Sequence, residues 1–229
     1  MHPLDNVIWQ ALTTRQENFA ESFLDARRFF RDVTSLGAFQ DPTDQGYESL
    51  ASLLGAGGTV ALFLEKPYEP RPGWNLIADA PLLQMVCTNG SAHVPSQRES
   101  VSAIVELTPA DSPEMVELAA LTKPGPFGIR THELGTYLGI RHEGKLVAMT
   151  GERLKVPGYT EVSAVCTHPK HTGKGYAGTL MMEVMRRIRE RGEVPFLHVR
   201  QDNVRAIELY KRLGIAKRAV LYLAVITKT

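Results

Sequence analysis

Over residues 98–229 the apolar and polar positions alternate in one stretch and fall at helical spacing in the next. "SAIVEL" alternates as a strand does, and Ser112 followed by Pro113 marks a helix start, since proline suits the first helical position. That helix stops at "KPGP". "YLGIRH" and "KLVAMTGERL" flank Glu143-Gly144 and predict two antiparallel strands joined by a tight turn. "EVSAVCT" predicts a strand, 176–191 a helix, "VPFLHV" a strand, 203–213 a helix and "AVLYLAVI" a last strand. In the longer helix Ala177, Leu180, Met181, Val184, Met185 and Ile188 form one apolar face. The predicted order is β-α-β-β-β-α-β-α-β.

The first part of the chain is less regular. Thr14 stands three residues before Glu17, as in a capping box, and Phe19, Ala20, Phe23, Leu24 and Phe30 follow at helical spacing, which predicts a helix over 14–32. A second helical pattern follows Gly46. "TVALFLE" and "PLLQMVCT" then predict strands on either side of a stretch rich in Pro and Gly. The polar, proline-containing segment "AHVPSQRES" reads as a connection between an N-terminal lobe, 1–97, and a second lobe, 98–229. "MVCT" and "AVCT" both close a strand-like run, which is compatible with the first lobe being a degenerate copy of the second.

With 43% hydrophobic and 22% charged residues, the 229-residue chain is long enough to bury a substantial core. No run approaches the roughly 18–20 apolar residues of a membrane span, and no signal-peptide pattern opens the chain, so a cytoplasmic protein without a membrane partner is expected. Cys87 and Cys166 are too few and too isolated for a disulfide scaffold or a metal cluster. The net charge of +1 conceals an asymmetry: Lys and Arg against Asp and Glu stand at 6 against 11 over residues 1–97 and at 20 against 14 over residues 98–229. The second lobe therefore favours an anionic ligand, but its excess is too small and scattered for a nucleic-acid surface.

The candidate chemistry lies in "VCTHPKHTGKGYAGTL", where a glycine-rich turn links a strand to a helix. Glycines let a ligand come close to the main chain, and a helix N-terminus offers unpaired amides at the positive end of its dipole. The amides from Thr172 through Ala177, with Gly173, Gly175 and Tyr176 between them, would form an anion-binding concavity, and Lys170, His171 and Lys174 lie in the same turn. A P-loop is excluded because Gly178-Thr179 stands where Gly-Lys-Ser/Thr is required. Gly173-x-Gly175-x-x-Gly178 also matches a dinucleotide fingerprint with Asp202 as ribose ligand, although five residues separate the strand end from the first glycine.

Residues 161–215 resemble the GNAT superfamily of acyl-CoA-dependent N-acyltransferases. Lys170-x-x-Gly173-x-Gly175 followed by Ala177 is similar to that family's R/Q-x-x-G-x-G/A turn, with lysine in place of Arg or Gln. "NVRAIELYKRLGI" is similar to its N-x-x-A-x-x-L-Y-x-x-x-G-F motif, with Asn203, Ala206, Leu209, Tyr210 and Gly214 in register and Ile215 in place of Phe. The whole chain resembles the two-lobed, glycine N-acyltransferase-like branch, in which an acceptor-side lobe precedes the CoA-binding one. The resemblance implies an α/β (α+β) fold with a mixed, mostly antiparallel sheet flanked by helices. It implies acetyl-CoA or another acyl-CoA as co-substrate, no metal, and a small-molecule or peptide amine as acceptor. It implies main-chain contacts to the pantetheine arm at Val165, Cys166 and Thr167, coenzyme contacts at the turn and at Asn203, Ala206 and Tyr210, and Tyr210 as the acid that protonates the leaving thiolate. Glu161, four residues before Val165, matches a glutamate used as base in the histone-acetylating branch and would need its pKa raised by burial. Glu152, His132 or a water chain are the alternatives for the base. An acyl-CoA-binding module without catalysis, and a dinucleotide-binding protein, are the rival readings.

Overall fold

A computed structural model describes residues 2–87 and 104–229. The connection expected near Gln97 lies outside the described residues. Eleven strands and five α-helices follow one another as α1 (Val7–Leu12), β1 (Ala20–Phe23), β2 (Ala26–Phe29), β3 (Gly37–Phe39), α2 (Asp44–Leu54), β4 (Thr59–Leu64), β5 (Trp74–Cys87), β6 (Ile104–Glu106), α3 (Ser112–Thr122), β7 (Tyr137–His142), β8 (Lys145–Val156), β9 (Tyr159–Thr167), α4 (Tyr176–Glu190), β10 (Val194–Arg200), α5 (Val204–Arg212) and β11 (Ile215–Lys228). From β6 onward this is the order read from the sequence.

The helix expected over 14–32 is not formed. Thr14 donates back to the carbonyl of Gln10 beyond the end of α1, a short 3₁₀ turn spans Glu17–Phe19, and β1 and β2 make a hairpin. Leu24 turns the hairpin at φ 41°, leaving Phe23 and Leu24 exposed while Ala26 and Phe29 are buried. Of the residues at helical spacing, Phe19, Ala20 and Phe30 pack against the core and Phe23 and Leu24 do not, so the spacing does not mark one buried face. The cross-strand pair Glu21–Arg28, with Arg28 Nε donating at 2.6 Å, favours the strands. The cap of the first real multi-turn helix is Thr43, whose hydroxyl accepts from the amide of Gly46 at 3.1 Å.

Eight strands form one sheet in the order β4-β11-β5-β10-β9-β8-β7-β6, and β1-β2-β3 form a second, smaller one. Every pair in the large sheet is antiparallel except β9 with β10. Strands β4 and β5, from before residue 97, are therefore built into the same sheet as the strands that follow it. Helices α4 and α5 cover one face. Leu180, Met181, Val184, Met185 and Ile188 of α4 are each at most 1% exposed, and burial of such side chains stabilises by about 1.5–3 kcal/mol apiece. The opposite face is covered by α1 and the N-terminal segment, through Leu4, Ile8, Leu12 and Phe29, and by α3 through Met115 and Leu118. Among the described residues no helix is long and apolar enough to cross a membrane.

Candidate active site

The parallel pair β9–β10 is hydrogen-bonded only from Tyr159 to Glu161 and from Val194 to Phe196. Beyond Glu161 the two strands separate, so from Val162 to Thr167 the edge of β9 that faces β10 has no strand partner. Its other edge stays paired to β8, with Met149 opposite Cys166 and Gly151 opposite Ser163. One extra residue on β9 between those two pairs makes a bulge, and Ala164 within it holds φ 51°. A non-glycine residue in that region costs about 1–2 kcal/mol. A second slip, with the extra residue on β8 between Glu152 and Lys155, puts Arg153 in a bulge of its own. The two kinks turn Arg153, Ser163 and Ala164 toward one narrow cleft, closed on its other side by the turn Pro124–Phe127.

From the end of β9 the chain passes through a 3₁₀ turn, Pro169–His171, and an extended Thr172 into Gly173 at φ 81° and Gly175 at φ 82°. These left-handed conformations bring the chain into the start of the 15-residue α4. None of the amides of residues 172–177 donates to a group of the protein. A Cβ built on Gly173 or Gly175 meets nothing within 4 Å, so the concavity is open. Lys174 stands 6.0 Å from the ring of Tyr176, and Lys170 is exposed on the adjoining turn. At the two ends of the connection Thr167 Oγ1 and His171 Nδ1 are buried without a hydrogen-bond partner. His171 lies edge-on to His142 and His168, and burial, the Lys174 charge and these two imidazoles hold its pKa below the ordinary histidine value. Free amides, open space and unpaired polar atoms together fit the diphosphate of a coenzyme A thioester. Among the described residues no group of three or more His, Cys, Asp or Glu is arranged to hold a metal.

The remaining predicted residues fall at distinct places. Val165 is half-buried against the core under α4 and α5, while Cys166 is buried beside α3, where loss of solvent pushes its thiol up to about 12. Cys166 therefore carries a thiol and not a thiolate at neutral pH. Asn203 caps α5 by accepting from the amide of Ala206 at 3.2 Å, so this motif pair sets the helix start. That places Tyr210 on the inward face of α5, 7% exposed and pushed up to about 12 by burial and by the neighbouring Cys166.

Glu161 does not have the raised pKa that a base in its place would need. It is 1% exposed, and burial does push its carboxyl upward. Two bonds from Arg153, Nε at 2.8 Å and Nη2 at 2.9 Å, and one from His198 Nδ1 at 2.7 Å outweigh that and hold it at about 2. Of the alternatives, Glu152 is buried, not solvent-exposed, and pairs with Lys155 at 3.0 Å and Arg191 at 2.7 Å. His132 is half-buried in the 3₁₀ turn Thr131–Leu134 with Nδ1 3.0 Å from the carbonyl of Ile129. Asp202, the residue of the dinucleotide reading, is exposed and paired with Arg200 at 2.7 Å. That reading also needs a parallel doubly wound sheet, and only one pair here is parallel.

Sequence reasoning missed Arg153 and His198. His198 stands between Leu197 and Val199 in "FLHV", an ionisable residue in an apolar run, which was the signal available; Arg153 follows Glu152 in "ERLKV" with Lys155 two residues on, and nothing in that stretch marks it as buried. The network continues past His198: Gln84 Nε2 lies 3.1 Å from His198 Nε2 and donates to the carbonyl of Leu4 at 2.9 Å, and Gln84 Oε1 accepts from Arg218 at 2.7 Å. Tyr137 was also missed. Its ring packs where a Cβ on Gly151 would come within 2.3 Å, its hydroxyl is buried without a partner, and burial holds its pKa far above the ordinary tyrosine value.

A mostly antiparallel sheet whose one parallel pair splays beside a bulge, followed by an amide-lined glycine turn, defines an acyl-CoA-dependent transferase. The comparisons with known proteins agree. The chain is 36% identical over the full length of both chains, with a TM-score of 0.88, to a crystal structure from Novosphingobium aromaticivorans DSM 12444 described as an acetyltransferase of the GNAT family. The FR47-like protein family matches residues 137–223. A GCN5-related N-acetyltransferase from Kribbella flavida shares the fold at 17% identity, with 96% of each chain covered and a TM-score of 0.62. No curated protein matches the chain. The chain belongs to the GNAT family.

Proposed function

We propose that the protein transfers an acetyl group from acetyl-CoA to a primary amine by direct attack. The observation that carries this reading is the unpaired edge of β9 running from its bulge into a turn whose amides have no partner. Family membership, and the acetyltransferase description of the 36% identical relative, support it.

Bound acetyl-CoA supplies an acyl carbon activated as a thioester, with a thiolate as leaving group. In this reading the amides and glycines of 172–177 hold its diphosphate, Lys170 and Lys174 add positive charge, and the free main chain of Val165, Cys166 and Thr167 aligns its arm. The amides at the bulge of Ala164 face the thioester oxygen, where negative charge develops. The amine nitrogen bonds to the acyl carbon as the carbon–sulfur bond breaks. Tyr210, fully protonated at neutral pH with its pKa near 12, donates its proton to the thiolate and regains one from solvent. Glu161, held at about 2, keeps too little proton affinity to take the ammonium proton. The proposal gives it the part of anchoring Arg153 and passes that proton to water.

Thiol release from acetyl-CoA in the presence of a panel of primary amines tests the reading, alongside melting temperature with acetyl-CoA and with NAD. Acetyl-CoA is expected to raise the melting temperature and NAD to leave it unchanged. A shift with NAD alone overturns the proposal.

A further inference from the structure

Main-chain pairing of β9 with β10 stops at Glu161 opposite Phe196, yet just beyond that point the two strands remain joined through their side chains. Glu161 Oε1 and His198 Nδ1 are 2.7 Å apart, and both side chains are at most 2% exposed. On its other side His198 stands opposite Gln84 of β5, with Nε2 of the ring 3.1 Å from Nε2 of the amide. The other contacts of Gln84 fix which way that amide points. Its Oε1 meets Arg218 Nη1, which can only donate, at 2.7 Å, and its Nε2 meets the carbonyl oxygen of Leu4, which can only accept, at 2.9 Å. The second N–H of the amide is left for His198, so Nε2 of the imidazole accepts and Nδ1 carries the proton. The ring is therefore neutral in this arrangement and donates to the Glu161 carboxylate. The rings of Phe63 and Phe196 pack against it, with centroids at 4.7 and 5.7 Å.

Facing strand edges with unpaired N–H and C=O groups close and pair unless something holds them apart. A coenzyme arm lying on the main chain of β9 needs the two strands kept at one separation. Building on the acyltransfer reading, we propose that Glu161, His198 and Gln84 take the place of the missing ladder. Their hydrogen bonds run across β9, β10 and β5, set how far β9 stands from β10, and so position the free main chain of residues 165–167 for the arm of acetyl-CoA. Arg153, on the other side of the same carboxylate, carries the belt on to β8. His198 is a positioning residue and touches no reacting atom. Because Gln84 fixes its tautomer, the imidazole donates toward β9 and nowhere else, which gives the tie its direction.

Two measurements test this. Nitrogen NMR of the histidine rings in the wild-type protein is expected to show His198, at neutral pH, as a neutral imidazole with its proton on Nδ1. A ring protonated on Nε2, or an imidazolium, overturns the proposal. Calorimetry then titrates acetyl-CoA into the wild type and two variants, with KM and kcat read by thiol release. His198→Leu fills a similar volume without either bond, and is expected to weaken acetyl-CoA binding about tenfold or more and to raise KM by as much, with a smaller fall in kcat. His198→Asn places its amide nitrogen near the position of Nδ1, keeps a donor for Glu161, and is expected to bring binding back to within about threefold of the wild type. Loss of packing alone gives the reverse order, since Asn leaves the larger gap. Wild-type affinity in His198→Leu, or no better affinity in His198→Asn than in His198→Leu, overturns the proposal. If the variants do not fold, the ring spectra of the wild type decide. Failure of the wild type to bind acetyl-CoA overturns the acyltransfer reading instead, so the two failures are distinguishable.

Discussion

Tyr210 and Glu161 show how the same burial sends two acids to opposite fates. Tyr210 loses solvent and stands beside Cys166 with no cation to offset either, so it keeps its proton; Glu161 loses solvent as well but gains Arg153 and His198, and so keeps its charge. Tyr210→Phe is therefore expected to lower turnover by roughly 10²-fold while the KM for acetyl-CoA stays within about twofold, read by thiol release. For Glu161 the folded pKa of about 2 lies below the ordinary value of 4.5, so its ionisation stabilises the fold above pH 4.5 and that contribution fades as pH falls toward 2. Urea midpoints should drop between pH 5 and pH 3 by the equivalent of about 2 kcal/mol, and Glu161→Gln should flatten that dependence. At neutral pH the same substitution is expected to cost about 3–5 kcal/mol, because Arg153 and His198 lose the charge they were built around.

Elements with strong periodicity were legible in the chain, and those whose shape depends on partners were not. The α4 face repeats apolar residues over four turns, so its place and its buried set followed from the period alone. The bulge at Ala164 left no mark, because "VSAVCT" alternates as any strand does and only the register against β8 shows the extra residue. The hairpin of β1 and β2 was mistaken for a helix because short strands and helix turns share apolar spacings over so few residues. Glycine was the informative residue at the coenzyme turn. Gly175→Ala must place a Cβ at φ 82°, at a cost of about 1–2 kcal/mol, and sets it in the open space where the diphosphate is proposed to lie. Calorimetric titration is expected to show acetyl-CoA binding weakened by about tenfold or more, against a smaller loss of thermal stability. Gly151→Ala is the opposite case: the added carbon meets the ring of Tyr137, so stability falls by about 1–3 kcal/mol and the protein melts earlier.

At the scale of the whole molecule, the division into lobes that the polar segment before residue 100 suggested runs across one continuous sheet. The pattern of strands and helices was readable from the chain, but the insertion of β5 between β10 and β11 was not, since it depends on pairing between distant segments. Residues 98–229 produced alone would have an unpaired β10 edge and an unpaired β11, and are expected to show little of the native circular dichroism; a cooperative melt of that fragment would count against a shared core.

The same arrangement bears on how the chain reaches its native state. The closing strand β11 holds β4 on one side and β5 on the other, with Trp74 opposite Lys228 near its last residue. During synthesis β4 and β5 must wait for the strand that lies between them until β11 has left the ribosome. Folding of this kind is slow and leaves a window for aggregation, so yield in the cell should respond more to temperature and chaperone supply than the stability of the finished protein would suggest.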